Sequence, residues 1–164
     1  MDQCRCDTVP ALAVVDMGKH EALFQTLDRV RDRGEHYWWL YACECRACRT
    51  TWVVASEERQ NDIFIMKKLD APATELLLRG NVWPPDFERY EALLEIGREW
   101  DRYVRFVDPE NSMSLGWTIA DLARERPGIA VSRLAWLLNL TPELAATLAR
   151  KVVDREGVDI TFDG

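Results

Sequence analysis

The feature that most constrains the fold is a pair of cysteines, Cys45 and Cys48, separated by two residues. The segments on either side, residues 37–43 and 50–55, are rich in aromatic and β-branched side chains, which favour β-strands. The pair is therefore predicted to lie in a turn between two antiparallel strands. Such a turn holds two thiolates at about the separation that a tetrahedral zinc ion requires. The sequence thus predicts half of a metal site.

The other half of this site needs two more ligands, which we predict to be Cys4 and Cys6. Their spacing, with one residue between them, is tighter than the usual spacing of about two to four residues. Cys43 is an alternative ligand, because a strand places it on the same face as the first cysteine of the turn. His20 and His36 are further alternatives. The competing interpretation is that all five cysteines are free thiols that pack as small apolar side chains.

Metal binding is favoured over disulfide bonds by the compartment that the sequence predicts. No apolar run is long enough to cross a membrane, and the first residues lack the apolar core of a signal peptide. We therefore expect a cytoplasmic protein, in which thiols stay reduced. A redox role for the cysteine turn is disfavoured, because a redox pair needs a helix N-terminus to lower its thiol pKa.

The chain as a whole is predicted to have an α+β fold. An N-terminal helix over residues 19–33 is followed by a three-stranded antiparallel meander that contains the cysteine turn. Its strands are predicted at residues 37–43, 50–55 and 63–69. Further predicted elements are helices at residues 70–78 and 85–100, a strand at 103–107 and a loop at 108–111.

The C-terminal half is predicted to be mainly helical. Its helices are expected at residues 115–126, Val131–Leu138 and Pro142–Glu156, and the tail at residues 158–162 is a candidate strand. The last two helices have the lengths of a helix-turn-helix unit. We predict an α+β part at residues 1–110, with the cysteine turn and an acidic helix, and a helical part at residues 111–164 packed on it. One domain over residues 1–164 is the alternative.

The charge of the chain bears on its partners. With 28 acidic and 21 basic residues, the net charge is −7, which repels phosphate backbones and attracts basic surfaces. Nucleic acid is therefore not an expected partner. The helix that begins at Pro142 agrees, because its first turn offers Glu143 where a base-reading helix offers basic or amide side chains. The alternative function is a regulatory protein with a zinc ribbon and a winged helix that contacts nucleic acid or the transcription machinery.

The helix predicted at residues 85–100 has two opposite faces. At 100° per residue, four glutamates fall within an arc of about 80°, and the large apolar side chains lie on the other side. These glutamates are Glu88, Glu91, Glu95 and Glu99. We predict that they form an exposed stripe that binds a basic partner, and the alternative is a solvated helix face. No paired general acid and base and no phosphate-binding glycine loop is present, so an enzyme is not expected.

One phrase of the sequence is similar to a known class of proteins. The segment from Trp39 to Val54 reads W-L-x-x-C-x-C-x-x-C-x-x-x-W-x-V, and Trp83-Pro84 and Tyr90-Glu91-Ala92-Leu93-Leu94 follow it. In these residues the chain resembles small bacterial immunity proteins of contact-dependent growth inhibition systems. The resemblance implies a cytoplasmic protein that binds the toxic domain of a delivered effector, often a nuclease, and blocks its active or substrate-binding surface. The expected partner is therefore a basic toxin domain.

Overall fold

A computed structural model of the chain describes residues 3–33, 39–57, 63–100 and 112–163. The chain divides into two compact units. Unit one comprises Met1–Glu58 and Asp62–Glu88, and unit two comprises Arg59–Asn61 and Arg89–Gly164. Unit one contains an antiparallel sheet and unit two is mainly helical, so the predicted combination of α and β structure is confirmed.

The sheet of unit one has five strands. They are β1 (Leu12–Asp16), β2 (Leu27–Asp32), β3 (Trp39–Cys45), β4 (Thr51–Glu57) and β5 (Ile63–Lys68). Their order is β1-β5-β4-β3-β2, and every neighbouring pair is antiparallel. The predicted meander corresponds to β3, β4 and β5. The sequence did not predict the two strands that flank it, β1 and β2.

The predicted helix over residues 19–33 is wrong in its second half. Helix α1 spans only Met17–Phe24, and its N-cap is Asp16, whose side chain accepts from the backbone N–H of Gly18. The chain then turns and enters β2, which pairs with β3. Leu27 packs against the core, whereas Val30 is 44% exposed. Pairing with β3 thus satisfies the backbone that a longer helix would have satisfied internally.

One face of the sheet carries the hydrophobic core that surrounds the cysteines, and residues such as Leu40, Val53 and Ile65 are buried on the other face. Helix α1 and the N-terminal segment, residues 3–11, contribute side chains to this core, and the ring of Phe24 lies 4.9 Å from that of Phe64. The buried members of the core are Cys6, Val9, Ala13, Val15, Leu23, Cys43, Cys45, Trp52, Val54, Phe64 and Met66. Both cysteines at the end of β3 that face this side are therefore sealed from water.

Helix α2 (Ala71–Gly80) follows the sheet. Its N-cap is Asp70, whose carboxylate accepts from the backbone N–H of Ala73, as the sequence predicted. Arg31 of β2 donates to the carbonyl of Leu78 near the helix C-terminus at 2.7 Å. The chain then makes a short 3-10 turn at Pro85–Phe87, where the sequence predicted the start of a longer helix.

Unit two contains four helices within the described residues. They are α3 (Tyr90–Trp100), α4 (Ser112–Glu125), α5 (Val131–Leu138) and α6 (Pro142–Glu156). Thr141 caps α6 through its side chain, and Gly157 ends that helix with a φ of 64°. The short strands β6 (Ile129–Ala130) and β7 (Ile160–Thr161) pair in parallel. Both α5 and α6 have the bounds that the sequence predicted.

The division between the units differs from the predicted boundary at residues 110 and 111. It falls between Glu88 and Arg89, and α3 therefore belongs to the helical unit, where it contacts α4 and α5. The predicted strand at residues 103–107 and the predicted loop at residues 108–111 lie outside the described residues. Among the described residues, no helix is both long enough and apolar enough to cross a membrane.

Candidate metal centre

Four of the five cysteines come together at one end of the sheet in unit one. The sulfur atoms of Cys4, Cys6, Cys45 and Cys48 all lie within 4.8 Å of one another, and we call these four residues the cysteine cluster. The sequence predicted this set as the metal ligands. Two members come from the N-terminal segment, and two come from the turn between β3 and β4.

The turn that carries Cys45 and Cys48 is held by backbone hydrogen bonds. The N–H of Arg49 donates to the carbonyl of Cys45, and the N–H of Cys45 donates to the carbonyl of Thr50, both at 2.9 Å. Arg49 has a φ of 62°, a conformation that non-glycine residues adopt at a cost. Arg46 anchors the turn to the β2 edge, because its guanidinium lies 2.8 Å from a carboxylate oxygen of Asp28.

The N-terminal pair is positioned by a 3-10 turn at Cys6–Thr8. The N–H and the hydroxyl of Thr8 both donate to the carbonyl of Arg5, at 3.0 and 2.7 Å. Cys6 and Val9 are buried in the core, and the N–H of Cys6 points at the sulfur of Cys4, 3.5 Å away. This curl brings the two sulfurs together although only one residue separates them.

Two polar side chains contact the cluster sulfurs. Trp52 is fully buried, and its indole N–H donates to the sulfur of Cys6 at 3.4 Å. The thiol of Cys48 donates to the hydroxyl oxygen of Thr50 at 3.2 Å, and the same hydroxyl can donate to the sulfur once Cys48 is a thiolate. Donors of this kind stabilise negative charge on sulfur and orient metal-binding thiolates.

The cluster thiols differ in acidity. Burial raises the pKa of Cys6 to about 12, whereas the hydrogen bond with Thr50 lowers the pKa of Cys48 to about 6. Negative charge is therefore most stable at Cys48. Ionising the buried thiol of Cys6 requires a nearby positive charge, and a bound cation would supply it.

The alternative ligands lie elsewhere. Cys43 is buried opposite Trp52 in the β3–β4 pair, outside the cluster, and burial raises its pKa to about 12. The ring nitrogen Nδ1 of His20 lies 3.0 Å from the carbonyl of Asp16, at the start of α1. His36 lies outside the described residues.

The four predicted partner-binding glutamates do not form one exposed stripe. Glu88 precedes α3 in unit one and is 47% exposed, whereas Glu99 is exposed on α3 in unit two. Glu95 is 39% exposed and pairs with Arg133 at 3.0 Å. Glu91 is the clearest exception to the prediction, because its side chain is only 3% exposed.

Glu91 is buried because two arginines neutralise it. One of its carboxylate oxygens accepts from Arg126 at 2.7 Å and from Arg133 at 2.9 Å. The carboxylate of Glu125 accepts the backbone N–H groups of Tyr90 and Glu91, and it thereby caps the start of α3. Sequence reasoning missed these partners, which lie 35 and 42 residues from Glu91 and follow no local pattern.

Comparison of the chain with protein-family models, with curated proteins and with solved structures gave no match.

Proposed function

We propose that the cysteine cluster binds one zinc ion as a structural site. The observation that carries this proposal is the convergence of four sulfurs, all within 4.8 Å of one another. Zinc–sulfur bonds of about 2.3 Å place the sulfurs of a tetrahedral site about 3.8 Å apart. Small side-chain adjustments are therefore enough to close the four thiolates around an ion.

The ligand set and the surroundings favour zinc. Four thiolates make a soft, closed tetrahedral site, in which no coordination position is left for water or substrate. The ion would also supply the positive charge that the buried Cys6 sulfur needs, and Trp52 would donate a hydrogen bond to the coordinated thiolate.

The physical role of this ion is to fasten the N-terminal segment to the β3–β4 turn. Within that segment, only the side chains of Cys6 and Val9 are buried in the hydrophobic core around the cysteines, so apolar packing alone holds it weakly. A structural zinc ion adds an apparent binding free energy of about 10 to 16 kcal/mol at neutral pH, which is comparable to the stability of a domain.

Elemental analysis of full-length protein purified without chelators tests the zinc proposal. We expect about one zinc ion per chain, bound by four ligands. The variant Cys45→Ser should lose zinc, because it removes a buried ligand. The matched control is Cys43→Ala, which removes a buried thiol on the same strand but outside the cluster and should keep zinc. Wild-type protein without zinc contradicts the proposal.

For the biological role, we propose that the chain is a cytoplasmic immunity protein that neutralises a basic toxin domain. The proposal is supported by the resemblance of the segment around the cysteine turn and by the net charge of −7. In this proposal the cluster maintains the fold, and contact with the toxin is made by other residues.

The contact residues that we propose are the accessible glutamates. Glu99 remains a candidate, Glu88 and Glu95 are weaker ones because they pair with Arg33 and Arg133, and Glu91 is withdrawn because it is buried. Exposed carboxylates attract a basic surface and accelerate its association.

Charge reversal tests this role. The first step is to look for a gene for a large secreted protein next to this one, because the resemblance implies that its C-terminal domain is the partner to use. We expect Glu99→Lys to slow association and to weaken its dependence on salt. Glu143→Lys is the matched control, because it makes the same change at an exposed position of α6. Equal affinities of Glu99→Lys, Glu143→Lys and wild type would exclude Glu99 from the interface, and failure of wild type to bind would contradict the immunity role.

A further inference from the structure

The four sulfurs of the cluster are not equally accessible. Cys6 and Cys45 are sealed, with exposures of 2% and 0%, whereas Cys4 is partly exposed and Cys48 is exposed. Two ligands of the proposed ion thus face the core, and the other two face the side that water can reach. A reagent in solution meets Cys48 first.

Cys48 also lies in the wall of an open cavity in unit one, with a volume of about 550 Å³. The cavity is large enough for a small oxidant and its water shell. Its wall has three basic side chains and two acidic ones, which are Arg49, Lys68, Arg79, Glu44 and Glu75. Arg49 pairs with Glu44 at 2.7 Å and Arg79 pairs with Glu75 at 2.8 Å, so these charges largely cancel. Cys48 is distinguished instead by its exposure, because oxidation requires a thiol that the oxidant can reach.

We propose that Cys48 is an oxidation site, at which its sulfur attacks a peroxide, Cys4 completes a disulfide and the zinc ion leaves. The proposal rests on the zinc site proposed above and adds a means of regulating it. The accessible cysteines, Cys4 and Cys48, are the ones oxidised, and the buried cysteines, Cys6 and Cys45, stay reduced.

The chemistry balances in two steps. In the first, the Cys48 thiolate attacks one oxygen of hydrogen peroxide, the O–O bond breaks, and sulfenic acid and hydroxide form. In the second, the Cys4 thiolate attacks the sulfenic sulfur, the S–S bond forms and a second hydroxide leaves. The two sulfurs together lose two electrons and the peroxide gains them. Zinc, left with two thiolates, departs as Zn²⁺.

Cys4 is the expected resolving residue for two reasons. Its sulfur lies within 4.8 Å of the sulfur of Cys48, and it is the other cluster member with solvent access. A disulfide between these two residues still ties the N-terminal segment to the turn, so the segment stays attached after the ion has left. Reduction of the disulfide in the presence of zinc would restore the site.

The test uses full-length protein loaded with zinc and treated with hydrogen peroxide. Zinc release is followed with a chromophoric zinc indicator, and disulfides are mapped by mass spectrometry of peptides. We expect release of about one zinc ion per chain and a Cys4–Cys48 disulfide. Cys43→Ala is the control that should behave as wild type. Cys48→His keeps a fourth zinc ligand but has no sulfur to oxidise, and it should retain zinc under peroxide.

The outcomes separate this proposal from the zinc proposal. Protein that purifies without zinc overturns both. Protein that holds zinc and keeps it under peroxide, or that forms a disulfide without Cys48, overturns the oxidation site alone. A disulfide between Cys45 and Cys48 overturns the assignment of Cys4. If Cys48→His does not bind zinc, the disulfides of the oxidised wild-type protein provide the test: a Cys4–Cys48 disulfide supports the oxidation proposal, and any other disulfide overturns it.

Discussion

Single residues in unit two show how a buried charge is tolerated. The carboxylate of Glu91 has lost most of its contact with water, which is costly unless the charge is paired. It is paired with two guanidinium groups, from Arg126 and Arg133, and the latter also contacts Glu95. This network ties α3 to the start of α5 and to the segment that follows α4.

We predict that Glu91→Ala destabilises the protein by about 3 kcal/mol, at the low end of the range for removing one partner of a buried ion pair. The loss of stability is expected to be this small because Arg126 is half exposed to water and Arg133 still pairs with Glu95 after the substitution. Glu99→Ala, on the exposed side of the same helix, should change stability by less than about 0.5 kcal/mol. Urea denaturation measures both, and equal values for the two variants would contradict the network.

Glu91 should also make the stability of the protein depend on pH. Burial alone raises the pKa of Glu91, but hydrogen bonds from Arg133 and Arg126 outweigh it, so the pKa lies below its ordinary value. Because the folded pKa is the lower one, the stabilisation is complete above the ordinary carboxyl pKa and is lost as pH falls through the folded pKa.

The comparison that isolates this effect is wild type against Glu91→Gln, which cannot ionise. We expect wild type to be the more stable at about pH 7 and the difference to shrink towards about pH 3. Urea denaturation at several pH values gives the difference in free energy of unfolding. A difference that does not depend on pH would show that the charge of Glu91 does not stabilise the fold.

At the scale of elements, the sequence predicted best where a local signal determines the structure. Helix α6 begins and ends at the predicted residues, because Thr141 caps its first turn and Gly157 adopts a left-handed conformation at its end. The cysteine turn was predictable for a similar reason. A tetrahedral metal site needs four ligands, and Cys4 and Cys6 were, besides Cys43, the thiols left to complete the set predicted with Cys45 and Cys48.

The sequence-based predictions failed where contact with another element determines the structure of a segment. The apolar spacing of residues 23–30 fits a helix, yet pairing with β3 makes the second half a strand. A helical wheel of α3 places Glu91 on the same face as Glu95 and Glu99. It cannot show that Arg126 and Arg133, from other parts of the chain, cover the Glu91 carboxylate. Both errors come from contacts with other elements, which the pattern of a single segment does not reveal.

Helices α5 and α6 allow a test of the alternative regulatory function. The exposed residues at the start of α6 include Pro142 and Glu143, which suit neither base edges nor phosphates. We therefore predict no measurable binding to duplex DNA at about 0.15 M salt. Electrophoretic mobility shifts over a range of salt concentrations measure this. A sequence-selective complex that weakens with salt would favour the regulatory protein over the immunity protein.

At the scale of the whole molecule, the two units rely on different chemistry. Unit one combines a sheet core with a cluster of four sulfurs, and unit two combines helix packing with a buried ion-pair network. In the account proposed here, the zinc ion keeps the N-terminal segment in place, and exposed acidic residues recognise a basic partner. The oxidation site depends on the zinc site, because only a bound ion can be released.

X-ray absorption spectroscopy at the zinc edge is the sharpest test of the zinc site, because it reports the type, number and distance of the atoms bound to the metal in the full-length protein. We predict four sulfur neighbours at about 2.3 Å and no nitrogen or oxygen neighbour. The Cys43→Ala variant should give the same spectrum. A first shell that contains nitrogen or oxygen, or fewer than four sulfurs, would contradict the account.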